Sequence, residues 1–218
     1  MGEITFIRHG QASFGAENYD LLSPLGVQQA AWLGQYLRQS GARFDRVVSG
    51  TLTRHRQTRD EILTALPHPA PDEDARLNEM SFFAMARAHA AATDGDIPQS
   101  DPKQMEAHFL QVLGAWERGE IPDAPETLAS FRARVLAAIS AYGRAGQHVL
   151  IISSGGPLGI IMGAILGLDL RGTAEIILNA YNSSISRFRL RHGALRLVQY
   201  NSVAHLEQPT RRHALTFL

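Results

Sequence analysis

Apolar positions change period along this chain, and each change marks an element. Ile4 to Ile7 is a short, β-branched apolar run that stops at Arg8-His9-Gly10, the pattern of a buried strand feeding a loop. Ser23-Pro24 signals a helix start, with Ser as cap and Pro at the first helical position. Leu25, Ala30, Leu33 and Leu37 keep helical spacing until Gly41 offers a stop. Phe44 to Val48 predicts a second strand ending at Ser49-Gly50, then a helix from about Leu52 to Leu66, closed by Pro67. From Pro67 to Pro102 the chain is rich in Pro, Ala and Asp, and a loop or cap with at least one helix is expected. Helices are predicted near Met105 to Arg118 and Thr127 to Ala145. His148 to Ser153 contains Val149-Leu150-Ile151-Ile152, the clearest buried-strand signal, and Gly155-Gly156-Pro157 turns it into a helix reaching Leu168. Ser184 to Leu190 and Leu195 to Tyr200 alternate and meet at His192-Gly193, which predicts a hairpin.

Strands that alternate with helices predict an α/β fold: a three-layer α/β/α sandwich with a mostly parallel central sheet. A single domain over residues 1–218 is expected, with a cap insertion at about 67–125.

Composition narrows the function classes. Lys plus Arg is 21 and Asp plus Glu is 21, so bulk charge gives no support to nucleic-acid or membrane-surface binding. The chain has no cysteine, which excludes thiol catalysis, disulfides and Cys-ligated metals. No basic segment followed by an apolar run opens the chain, and no apolar run reaches the ~20 residues of a membrane helix. A cytoplasmic protein is the expectation.

Ligands of parallel sheets bind outside the carboxyl ends of the strands. Three strand ends carry unusual polar residues: Arg8-His9-Gly10, Ser49-Gly50 with Arg54 one turn later, and Ser153-Ser154-Gly155-Gly156. Arg8 and Arg54 offer planar forks of donors to phosphate oxygens. Gly155 and Gly156 admit an anion to the start of a helix, where the dipole favours negative charge. His9 suits nucleophilic attack on phosphorus as a neutral imidazole, with Gly10 freeing the backbone to turn. No G-x-G-x-x-G follows the first strand, so a dinucleotide site is set aside.

At these residues the chain resembles the histidine phosphatase superfamily, the phosphoglycerate mutase-like family with the RHG signature. The resemblance runs through "FIRHGQ", "LSPLGVQQA", "VVSGTLTRHRQT", "LNEM", "VLIISSGGPL", "YNSSISRF" and "NSVAHL", in family order over nearly the whole chain. It implies that His9 is the nucleophile and that Arg8 and Arg54 bind phosphate. Glu79 would donate a proton to the leaving oxygen, and the Gly155 amide would face the phosphate. It implies a small phosphorylated substrate, no metal and no other cofactor, and it admits a homodimer.

Three places depart from the family pattern. Ser154 stands where the family usually has a second histidine, in an "SHGG" block, and brings one hydroxyl but no positive charge. Losing one such donor typically costs roughly 10²–10³ in rate, so reduced activity is expected. Gly15 stands where many members carry asparagine, with Asn18 nearby, and Glu79 lacks the common "G-x-W-E-G" continuation. The expected function is a phosphohydrolase working through a phosphohistidine on His9. A non-catalytic phospho-ligand-binding protein and a phosphoglycerate mutase are the alternatives. Of the other histidines, helical spacing turns His55 away from Arg54, His148 begins a strand far from its functional end, and His205 reads as structural. Arg56 and Arg59 read as surface helix arginines. Phe14, Trp32 and Tyr36 read as packing residues.

Overall fold

The strand-forming runs assemble into one sheet around three central strands that are buried on both faces. The computed structural model describes residues 2–13, 20–98 and 101–217. The strands are β1 (Glu3–Arg8), β2 (Arg46–Ser49), β3 (Asp72–Glu73), β4 (His148–Ser153), β5 (Ile185–Arg191) and β6 (Ala194–Ser202). Their order is β3-β2-β4-β1-β5-β6. β1 and β2 run parallel to β4, and β3 runs parallel to β2. β5 and β6 close one edge as an antiparallel hairpin. His192 and Gly193, at φ 50° and 75°, make the hairpin turn, the left-handed pair that suits a twisted two-residue connection.

Side-chain alternation along the central strands divides the core in two. Ile7, Val47, Leu150 and Ile152 face the helices α1 (Pro24–Gln39) and α2 (Thr53–Leu63), packing against Ala30, Leu33, Leu37 and Ile62. Phe6, Val48, Val149 and Ile151 face the opposite layer. That layer holds α3 (Phe82–Thr93), α4 (Pro102–Glu117), α5 (Leu128–Tyr142), α6 (Gly155–Leu166) and α7 (Leu170–Asn179). Layers on both faces explain the unbroken Val149 to Ile152 run, whose four residues are at most 1% exposed. The fold is the expected α/β sandwich with a mostly parallel sheet. In the 67–125 segment, Leu77, Met80, Met85, Phe109, Val112 and Trp116 share one apolar cluster with Phe6 and Ile151.

Local signals account for most boundaries. The Ser23 hydroxyl accepts the Gly26 amide and caps α1, and Gly41 adopts φ 70° just past its end. α2 stops at Leu63, three residues short of the expected Leu66. The structure adds β3, a 3-10 turn at Ala75–Leu77, α7 and a 3-10 turn at Pro209–Ala214, none of which the periodicity indicates. Phe14, Gly15 and Asn18 lie outside the described residues.

Candidate active site

The carboxyl ends of β1, β4 and β2 are adjacent, and their loops converge. The His9 amide donates to the Ser153 carbonyl (2.9 Å) and the Gly50 amide to the Ile152 carbonyl (3.0 Å), so the three strand ends are stitched together. The loop after β1 is pinned to α1: the Gln11 amide donates to Gln29 Oε1 (2.8 Å), and Ser23 Oγ donates to Gln11 Oε1 (2.8 Å). Gly10 is needed for this approach. A Cβ there would lie 2.4 Å from the Gly26 carbonyl oxygen, and one on Gly26 would lie 2.1 Å from that of Gln11. Gly10 does not take the left-handed conformation that a sharp turn would ask of it. Its role is backbone contact, which corrects the sequence reading.

His9 is 5% exposed, and two neighbours fix its tautomer. Nδ1 lies 2.7 Å from the Gly10 carbonyl, which only accepts, so Nδ1 carries the hydrogen. Arg54 Nε, which only donates, points at His9 Nε2 at 3.2 Å, so Nε2 holds the lone pair. Burial, reinforced by Arg54, by the neighbouring His55 and by Arg8, holds this imidazole well below its usual range, against the raising effect of the Gly10 carbonyl. A neutral ring with a directed Nε2 lone pair is the form that attacks an electrophile.

The two arginines are themselves held. Arg54 Nη1 donates to Asp20 Oδ1 (2.7 Å), while Asp20 Oδ2 accepts the Thr53 amide at the start of α2 (2.7 Å). Arg8 Nη1 donates to the Ala180 carbonyl. A Cβ on Gly155 would sit 3.8 Å from Arg8 Nε, which sets that guanidinium beside the first residue of α6. Thr58 Oγ1 accepts the Gly10 amide (3.1 Å) and donates to the Arg54 carbonyl (2.7 Å), tying the nucleophile loop to α2. Ser183, at φ 59°, donates its amide to the His9 carbonyl (3.1 Å).

Glu79 enters from the other side. Its Oε2 accepts the Gly156 amide (3.0 Å) and its Oε1 accepts the Met80 amide (2.9 Å), so the carboxylate caps α6 from outside the helix. A Cβ on Gly156 would lie 1.9 Å from Glu79 Oε1, so only glycine admits the carboxylate there. The Glu79 loop is anchored by Ser153 Oγ donating to the Leu77 carbonyl (2.6 Å) and by Arg134 Nη1 donating to the Asn78 carbonyl (2.8 Å).

The structure thus brings Arg8, His9, Arg54, Glu79, Ser154 and Gly155 together at the strand ends. It also corrects two expectations. His55 does not point away: it is fully buried, with Nε2 2.6 Å from Ser154 Oγ and its ring centroid 5.6 Å from that of His9. The N-terminus of α2 is directed at the site, so consecutive residues reach it on two sides. Nor is Arg59 a surface arginine. It is 8% exposed and donates to Ser49 Oγ (3.0 Å) and Glu73 Oε1 (3.2 Å). Arg56 is the exposed one, paired with Glu73. His148 is exposed at the start of β4, and His205 is buried with Nε2 2.8 Å from Ser183 Oγ. Sequence reasoning misses Asp20, whose partner Arg54 lies 34 positions on. Among the described residues, no cluster of three or more His, Cys, Asp or Glu is placed to hold a metal ion, and no helix is long and apolar enough to cross a membrane.

Comparison with known proteins bears on the family and the fold. A probable phosphoglycerate mutase, GpmB of Citrobacter koseri, is 29% identical over 195 residues, covering 86% of this chain and 84% of its own. A phosphoglycerate mutase from Bacillus anthracis superposes with a TM-score of 0.71 at 18% identity, over 93% of this chain and 94% of its own. A phosphoserine phosphatase from Entamoeba histolytica, solved with phosphoserine, superposes with a TM-score of 0.65 at 20% identity, over 94% of this chain and all of its own. At such identities the two structures speak for the fold. The sequence profile of the histidine phosphatase superfamily (branch 1) matches residues 4–203, and the chain belongs to that family.

Proposed function

We propose that this protein is a phosphohydrolase that transfers the phosphoryl group of a small phosphomonoester to His9 and then to water. The observation that carries the reading is the His9 ring: neutral, with hydrogen on Nδ1 and the Nε2 lone pair directed at Arg54 Nε. An arriving phosphate takes over the Arg54 donors, which frees Nε2. Nε2 then attacks phosphorus, the bond from phosphorus to the ester oxygen breaks, and that oxygen receives a proton from the Glu79 carboxyl. In the second half a water yields its proton to Glu79 and attacks phosphorus. The Nε2–phosphorus bond breaks and inorganic phosphate leaves. Arg8, Arg54 and the amide end of α6 neutralise charge on the transferred group throughout. The RHG residues and Ser154 are read here as the family signature and a variant of its second-histidine position.

The test is turnover of an aryl phosphate by the parent and a His9→Ala variant, with and without chelator. Chelator-resistant turnover that falls at least ~10³-fold in His9→Ala, with an acid-labile phosphoryl label recovered on the parent, is expected. A His9→Ala variant as active as the parent overturns the mechanism. One observation favours a second reading: Ser154 adds a neutral hydroxyl beside otherwise intact phosphate ligands, as a binding protein would. That reading predicts inorganic phosphate binding with no His9-dependent turnover, and the same assay separates the two. A mutase reading requires isomerisation of phosphoglycerate to outrun release of phosphate.

A further inference from the structure

Ser154 is the N-cap residue of α6, yet its hydroxyl makes no bond to its own helix. A serine at that position ordinarily accepts an amide of the first turn. Here the Gly156 amide is taken by Glu79, and the Ser154 hydroxyl turns to His55 instead. His55 is equally unusual. It is fully buried as the third residue of α2, and its Nδ1 has no hydrogen-bond partner. Burying a half-satisfied imidazole is costly, and a purely structural position would be filled better by an apolar side chain. Room for the ring is made by Gly50, where a Cβ would lie 2.2 Å from His55 Nδ1.

The geometry points to His55 as a positioning residue that acts through the Ser154 hydroxyl, so that the His55–Ser154 pair serves as one donor to the phosphoryl group held beside His9. This rests on the phosphohydrolase reading above. With hydrogen on Nε2, His55 donates to Ser154 Oγ across 2.6 Å, and only a lone pair remains at the unpartnered Nδ1. The hydroxyl hydrogen is then free to point at a phosphoryl oxygen at the amide end of α6. Two hydrogen bonds in series polarise one another, so the hydroxyl becomes a stronger donor than a serine alone. Burial and the Arg54 charge hold His55 neutral at rest, so it does not repel the neighbouring arginines before substrate arrives. Developing negative charge on the phosphoryl oxygens draws positive character along the relay when it is needed.

The experiment compares His55→Ala, His55→Leu, Ser154→Ala and the double variant His55→Ala/Ser154→His on an aryl phosphate, with melting temperatures in parallel. His55→Ala is expected to lower kcat about a hundredfold with little change in KM, as loss of a transition-state donor does. Ser154→Ala should match it, because the two residues are one device. The double variant, which delivers an imidazole directly, should recover kcat to within about tenfold of the parent. His55→Leu keeps volume without a donor; it should melt near the parent and lose kcat all the same. A His55→Ala or His55→Leu variant with parental kcat overturns the inference and leaves the phosphohydrolase reading standing. So does a double variant no better than folded His55→Ala. A parent without His9-dependent turnover overturns the phosphohydrolase reading instead. In that case vanadate affinity, measured by calorimetry on the same variants, reads the donor without turnover: loss in His55→Ala and recovery in the double variant support the relay, and equal affinities refute it.

Discussion

Arg54 reaches His9 because Asp20 holds it there. The carboxylate divides its oxygens between Arg54 Nη1 and the Thr53 amide, so one side chain aims the guanidinium and caps α2. Leu52, the residue in the N-cap position, has no side chain able to do so. Asp20→Ala therefore removes two functions. Loss of the cap costs about 1 kcal/mol, which lowers the melting temperature by about 2–4 °C in a chain of this size. Loss of the charged hydrogen bond, worth about 1.5–3 kcal/mol, leaves Arg54 free to wander and should raise KM for an aryl phosphate at least ~tenfold. Asp20→Asn keeps an acceptor for Thr53 and should recover the melting temperature while recovering KM only in part. An Asp20→Ala enzyme with parental KM would show that Arg54 is held by its other contacts. At this scale the sequence is informative where chemistry sits directly at a strand end, as for Arg8, His9 and Ser154. It is silent on Asp20, His55 and Arg59, because their roles come from partners 34, 99 and 10–14 positions away, and helical spacing alone turns each arginine or histidine outward.

α1 does more than cover the sheet: its first turn presses on the loop that carries His9. Gly10 and Gly26 allow the two backbones to touch, and neither position has room for a methyl group. Gly26→Ala would force backbone against backbone, an overpacking cost of about 1–3 kcal/mol, and would push the His9 loop away from Thr58 and Arg54. A fall in melting temperature accompanied by a disproportionate loss of kcat is expected. Gly114→Ala is the control. It lies within α4, where a Cβ meets only the flexible end of Arg118 at 3.2 Å, so a gain of about 0.5–1 kcal/mol from helix propensity is expected with activity unchanged. Equal kinetic effects from the two substitutions would dissociate the α1 contact from the site. The elements legible in the sequence are those with strong internal patterns: α1 with its Ser-Pro start, the apolar β4, and the β5–β6 hairpin. β3 is two exposed residues long and owes its existence to pairing with Val48 and Ser49, so no period can announce it. α7 follows α6 after a short break, and its start is set by Asp169 accepting the Gly172 amide, a local cap that composition does not reveal.

The whole molecule carries a cluster of buried neutral imidazoles, and this dictates how it responds to acid. Burial holds His205 down to about 3, aided by Arg211, and His9 and His55 are likewise held well below their usual range, chiefly by burial. Each would titrate near 6.5 in the unfolded chain. Below that value the unfolded state binds protons that the folded state refuses, so stability is full above about pH 6.5 and is lost as pH falls towards the folded values. His205 contributes about 1.4 kcal/mol per pH unit in this window. His205 alone removes about 2 kcal/mol by about pH 5, against the 5–15 kcal/mol typical of a domain, and His9 and His55 act in the same direction. Asp74 acts in the same direction but lower: Arg76 holds its carboxyl at about 2, so its contribution is present above its usual 3.8 and is lost only as pH falls through 2. The histidines therefore govern mild acid. The urea midpoint should fall steeply between about pH 7 and pH 5. His205→Gln, which keeps a polar partner for Ser183 outside the catalytic cluster, should flatten that slope by up to about 1.4 kcal/mol per pH unit. An unchanged slope in His205→Gln would mean that His205 is protonated in the fold; a midpoint constant over this range in the parent would mean that the buried imidazoles are protonated, and a neutral His9 nucleophile would lose its basis. The same linkage bounds catalysis: an acid limb in the rate near pH 5 must be checked against the fraction folded before it is assigned to a titrating group in the site.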